Sequence, residues 1–176
     1  MKNRNTIIAL AITSAATMAH ADIADPGVYS PYDNAQAKIT FISSSAGYTG
    51  VMNWLNPEIG STEVALLNNH ESAVGDFVTL PKTFQAGERI DFSYEVVRGG
   101  LDLFKTSDPE DWAQFSIDAS DPFNVWIGVE DIRLPGGDSD YNDAVFQVSF
   151  TPSVPAPGSI ALMGAGVLMV SRRRRG

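Results

Sequence analysis

The chain has 176 residues, no cysteine and a formal net charge of −9. Without cysteine, disulfides, thiolate chemistry and cysteine metal sites are excluded, and bound ions remain as the way to staple an exported fold. All 21 acidic residues lie between Asp22 and Asp143 beside only six of the 12 basic ones, and this acidic middle repels phosphates, which argues against DNA or RNA partners.

Residues 1–21 begin with Lys2 and Arg4, continue through an apolar run from Ile7 to Ala19 and end in Ala19-His20-Ala21. A basic start, an apolar run too short for a stable span and small residues at the −3 and −1 positions predict a signal helix cleaved before Asp22. His20 leaves with it, so His70 is the one histidine of the mature chain. About 130 residues then remain before the tail, enough for one domain with its own core.

From residue 22 to 152 the pattern is that of strands. Ile90, Phe92, Tyr94 and Val96 alternate with Asp91, Ser93, Glu95 and Val97; Phe123, Val125, Ile127 and Val129 repeat the period of two, as do Ala144, Phe146, Val148 and Phe150. Further strands are expected over Lys38 to Ser43, Gly50 to Leu55, Glu63 to Leu67, Asp76 to Leu80, Leu101 to Lys105 and Ala113 to Ile117, with one helical turn over Asp108 to Trp112. Short strands separated by Gly, Pro, Asn and Asp clusters predict an all-β fold, an antiparallel two-sheet β-sandwich of jelly-roll-like type.

Between the last two strands runs Ile127-Gly128-Val129-Glu130-Asp131-Ile132-Arg133-Leu134-Pro135-Gly136-Gly137-Asp138-Ser139-Asp140-Tyr141-Asn142-Asp143. Asp138, Asp140 and Asn142 alternate, so a curled loop can turn three oxygens toward one centre, and calcium takes six to eight such ligands. Only the first half of an EF-hand loop is matched: Asp143 stands where that loop needs glycine and Ser149 where it needs glutamate. Glu130 and Asp131 can return from the preceding strand; Asp131 has core-side parity and needs a partner there, a metal or backbone N–H groups. Asx-turns that protect strand edges are the other reading of the same residues.

The run GVEDIRLPGGDSDYNDAVF resembles the closing signature of the bacterial domain of unknown function family 4114. A weaker likeness extends upstream through Phe41 to Tyr48 and Leu80 to Phe92. The resemblance implies export, a sandwich fold and an acidic cluster of Glu130, Asp131, Asp138, Asp140, Asn142 and Asp143. Here the sequence adds an Ile132-Arg133 step and lacks a histidine often found in that family before the last strand pair.

The segment 153–176 holds Val154-Pro155-Ala156-Pro157-Gly158, an apolar run from Ile160 to Val170 and Arg172 to Arg175. Gly158 to Ser171 is 14 residues, about 21 Å as a helix, shorter than a hydrocarbon core of about 30 Å. The arginines favour the cytoplasmic side. This tripartite tail resembles the PEP-CTERM sorting signal, with Ala156 in place of the usual glutamate. The resemblance implies recognition by an exosortase-type processing enzyme, transient inner-membrane anchoring, and delivery to the cell surface, outer envelope or extracellular matrix, often beside exopolysaccharide. A plain C-terminal membrane anchor is the other reading.

No nucleophile elbow or metalloprotease motif occurs, and His70 sits in a polar stretch, so a non-catalytic role is expected. The expected function is an exported surface or matrix structural protein stabilised by calcium. The alternative is a carbohydrate-binding module that uses Trp54, Trp112, Trp126, Tyr48 or Tyr141 as stacking faces.

Overall fold

Alternating apolar residues produce strands whose inward rows meet across one core. The structure, a computed structural model, describes residues 25–60 and 62–153. The signal helix and the C-terminal apolar helix expected from the sequence lie outside the described residues. In chain order the strands are β1 (Val28–Tyr29), β2 (Ala35–Ser43), β3 (Thr49–Asn56), β4 (Thr62–Asn68), β5 (Phe77–Phe84) and β6 (Arg89–Ile90). They continue with β7 (Phe92–Arg98), β8 (Asp102–Lys105), β9 (Phe115–Asp118), β10 (Asn124–Val129) and β11 (Ala144–Pro152).

The strands form antiparallel sheets packed against one another. One sheet has five strands in the order β5-β2-β11-β10-β9, a second has four in the order β4-β3-β7-β8, and β1 pairs with β6. Ile39, Phe41, Val125, Ile127, Phe146 and Val148 of the five-stranded sheet are buried together with Met52, Trp54, Phe92, Tyr94, Val96 and Phe104 of the four-stranded one. Each large side chain taken fully from water contributes about 1.5–3 kcal/mol, so this shared interior is the main stabilising term. No helix among the described residues is long and apolar enough to cross a membrane.

Three local expectations need correction. Phe123 has the parity of the inward row yet is 49% exposed. It precedes β10 in a turn in which its N–H donates to Asp121 Oδ1 at 2.9 Å, and its ring packs on Tyr32 at 5.8 Å between centroids. The helical turn forms at Trp112–Gln114, later than expected, and β9 accordingly starts at Phe115. The strand expected across Ile90 and Phe92 is broken at Asp91, whose carboxylate takes the Arg89 Nε donor at 2.6 Å and the Thr106 hydroxyl at 3.1 Å.

This order of strands places the β10–β11 connection, residues 130–143, beside the β2–β3 connection. Ser45 N–H donates to Asn142 O at 3.0 Å and Ser44 Oγ to Asp143 O at 2.7 Å. The connection that passes from the five-stranded sheet to the four-stranded one therefore flanks the acidic loop.

Candidate metal centre

Where β10 ends, its in-out alternation gives way to two consecutive buried carboxylates. Glu130 and Asp131 are 1% and 4% exposed. Glu130 N–H donates to Gln114 O at 2.9 Å, which keeps the chain beside β9's entry turn. The loop then folds back onto β10: Tyr141 N–H donates to Glu130 Oε1 at 2.6 Å, and Tyr141 OH donates to Ala113 O at 3.1 Å. That return needs Gly128, since a Cβ there would lie 2.6 Å from Tyr141 O. Ser139 and Tyr141 take left-handed backbone conformations at φ 61° and 54°, which curl the segment between Asp138 and Asn142.

One carboxylate oxygen from each of Glu130, Asp138 and Asp140 lies within 4.8 Å of the others. Oxygens around one calcium ion at roughly 2.3–2.6 Å are separated by at most about 5 Å, so this spacing fits a shared hard cation. The two Asp residues are exposed and Glu130 closes the cluster from the protein side. Glu130 Oε2 is buried and has no hydrogen-bond partner among the described residues, an arrangement that costs free energy unless some cation or donor meets it. Gly137 leaves the room: a Cβ at that position would be 2.5 Å from Oε2.

The other residues of the expected cluster are placed differently. Asp131 Oδ2 accepts from Tyr48 N–H at 3.3 Å, and Asp143 Oδ2 accepts from Asp131 N–H at 2.8 Å. Burial pushes both carboxyls above the usual carboxylate range against these backbone donors; the Glu130 charge adds to the rise at Asp131, which its hydrogen bond with Asp143 opposes, and Asp131 and Asp138 add to the rise at Asp143. The partner that core-side Asp131 requires is therefore, at least in part, backbone N–H. Asn142 is exposed and its side-chain amide donates to Asp140, whose Oδ1 also accepts Asn142 N–H at 3.1 Å. An Asx-turn thus coexists with the carboxylate triad.

Beneath the site, burial first and then the Asp131 and Asp143 charges raise the pKa of Tyr94, whose buried hydroxyl has no partner among the described residues. Arg133 does not neutralise the cluster. Its guanidinium pairs with Asp102 and Asp111 at 2.9 Å each, lies over Phe104, and is held even more firmly protonated by those two partners.

Several residues that shape the centre escaped the sequence reading. Gln114, 2% exposed, donates to Glu130 O at 3.2 Å and Ile132 O at 3.0 Å and accepts from Leu134 N–H at 2.7 Å. Strand parity over Ala113 to Ile117 points Gln114 outward, but it belongs to the turn, where that parity does not apply. Tyr48 acts through its backbone, and no side-chain pattern reveals that.

Of the aromatics named as stacking faces, Trp54 is 1% exposed. Trp112 donates to Thr106 O, Tyr48 packs over Gly99 and Gly100, and Tyr141 is anchored on Ala113. Trp126 is 40% exposed on β10, opposite Gln147 on β11 and Asp118 on β9. His70 is exposed, with its ring nitrogens 3.3 Å from Thr49 Oγ1 and 3.2 Å from Ala46 O. Compared with protein-family models and with curated proteins, the chain has no match in either.

Proposed function

We propose that this chain is an exported, non-catalytic structural component of the cell surface or extracellular matrix whose sandwich is stabilised by calcium bound at Glu130, Asp138 and Asp140. The observation that carries the metal assignment is the unpartnered, buried Glu130 Oε2 beside two exposed carboxylates. A hard divalent cation satisfies that oxygen and relieves repulsion in the loop, and calcium tolerates an irregular oxygen cage better than magnesium does. In this reading the strands are jelly-roll-like, the leader and the basic-ended tail provide export and exosortase-type sorting, and the likeness to the domain of unknown function family 4114 accounts for the acidic signature. Calorimetric titration of the full chain with calcium tests the assignment: a saturable binding isotherm lost in Asp138→Asn supports it, and absence of binding by folded protein rejects it.

A second reading, exopolysaccharide binding, is favoured by Trp126, which stands exposed between Gln147 and Asp118 on the outer face of the five-stranded sheet. An apolar ring flanked by hydrogen-bonding groups suits a sugar face. Trp126→Ala should then lower retention on immobilised exopolysaccharide severalfold, while equal retention of the variant would remove this residue from consideration.

A further inference from the structure

The outer face of the five-stranded sheet carries a second exposed aromatic in register with Trp126. Trp126 on β10 stands opposite Gln147 on β11, Gln147 opposite Thr40 on β2, and Thr40 opposite Phe77 on β5. Directly paired residues share one face of a sheet, so these four side chains form a row that crosses the strands. Trp126 is 40% and Phe77 59% exposed. Lone exposed apolar residues are ordinary on a protein surface. Two rings at the ends of one row, with an amide and a hydroxyl between them, are not scattered residues. Neighbouring strands lie about 4.8 Å apart, so the rings stand roughly 14 Å from each other.

The chemistry between the rings sets what the row can hold. The Gln147 amide and the Thr40 hydroxyl each donate and accept hydrogen bonds, which is what ligand hydroxyls require. The next row on the same face, Asn124, Ser149, Lys38 and Thr79, is again made of hydrogen-bonding groups. Lys38 Nζ lies 5.2 Å from the centre of the Phe77 ring, and Asp118 stands on the far side of Trp126. With one positive and one negative side chain these rows have no net charge, in a segment from Asp22 to Asp143 that carries −15. An anionic polymer or an anionic membrane surface is repelled by the domain and finds no compensating attraction on this face. A chain of uncharged sugars meets neither obstacle. Its C–H faces stack on the rings and its hydroxyls meet the groups between them. A sugar unit in an extended chain advances by about one strand spacing, so units on Trp126 and Phe77 enclose about two more, over Gln147 and Thr40.

We infer that this row binds an extended, uncharged, β-linked hexose glycan laid across the strands and held at its two ends by Trp126 and Phe77. The inference rests on the carbohydrate reading of Trp126, and adds to it a second contact, the direction of the glycan and its lack of charge.

Electrophoresis of the full chain through native gels that contain a soluble β-glucan, a soluble β-mannan or the anionic glycan alginate tests the inference, with circular dichroism confirming that each variant is folded. At least one neutral glycan should retard the wild type, and alginate should not. Trp126→Ala and Phe77→Ala should each weaken the apparent affinity severalfold, and the double variant by about the product of the two losses, because sites this far apart contribute independently. Should either alanine variant fail to fold, Trp126→Thr or Phe77→Thr, which suits a strand better, replaces it. Weakening by Trp126→Ala with none by Phe77→Ala would overturn the row and leave Trp126 as a lone sugar contact. Retardation by alginate alone would overturn the uncharged ligand. Self-association of the wild type that both variants abolish, with no effect of any glycan, would assign the face to a second copy of the chain. No retardation of the folded wild type in any gel would remove the carbohydrate reading together with the inference.

Discussion

Replacing Glu130 by glutamine separates charge from shape at the centre. The amide keeps an acceptor for Tyr141 N–H, now 2.6 Å from Oε1, and supplies a donor where Oε2 has no partner. Metal-free Glu130→Gln should therefore unfold at the same temperature as the metal-free wild type or a higher one, yet gain nothing from calcium. Scanning calorimetry with calcium and with chelator measures both, and a calcium response of wild-type size in the variant would refute the role given to Glu130. Gln114 is the second residue on which the loop depends. Gln114→Ala strands the buried Glu130 carbonyl and the part-buried Ile132 carbonyl and Leu134 N–H, and an unsatisfied buried group costs about 1–3 kcal/mol. A loss of about 2–4 kcal/mol in urea unfolding is expected; a change near zero would mean that water replaces the amide.

At the scale of elements, Arg133 ties the acidic loop to the edge strand β8 through Asp102. Hydrogen bonding from Arg133 holds the Asp102 carboxyl below its ordinary value. A depressed folded-state value means that the pair stabilises the protein above the unfolded carboxylate range and that this contribution is lost as pH falls through and below about 4. Asp102→Asn should flatten that part of the profile of melting temperature against pH, and an unchanged profile would show the pair to be inert. Asp131 and Asp143, raised by burial, act with the opposite sign: without metal, stability falls as pH rises through their range above about 4. The elements themselves were largely legible. Ile90 to Val96, Val125 to Val129 and Ala144 to Phe150 alternate because one face is buried, and burial is what the period reports. Phe123 and Gln114 were misread because both sit in turns, where hydrogen bonds to Asp121 and to the loop backbone, rather than pleat parity, orient the side chain. The acidic character of the centre is visible in the spacing of Asp138, Asp140 and Asn142. Its division is not, because which carboxylates meet backbone N–H groups depends on the remote Tyr48.

For the whole molecule, electrostatics and packing oppose each other. The inner faces of the two sheets bury the aromatic and aliphatic rows on which stability rests, while the segment from Asp22 to Asp143 carries a net charge of −15. Self-repulsion on that scale weakens a compact state, most of all where carboxylates are withdrawn from water. Under the proposed calcium reading, a bound divalent ion would link the relief of that repulsion to folding, because the folded chain brings Glu130, just after β10, to the Asp138 and Asp140 oxygens. The most direct test is thermal unfolding of the full chain in calcium and in chelator. At a hundredfold excess over Kd, calcium should add about 2.7 kcal/mol and raise the melting temperature by roughly 10 °C. Coincident melting curves in the two buffers, with the protein folded in both, would contradict the account.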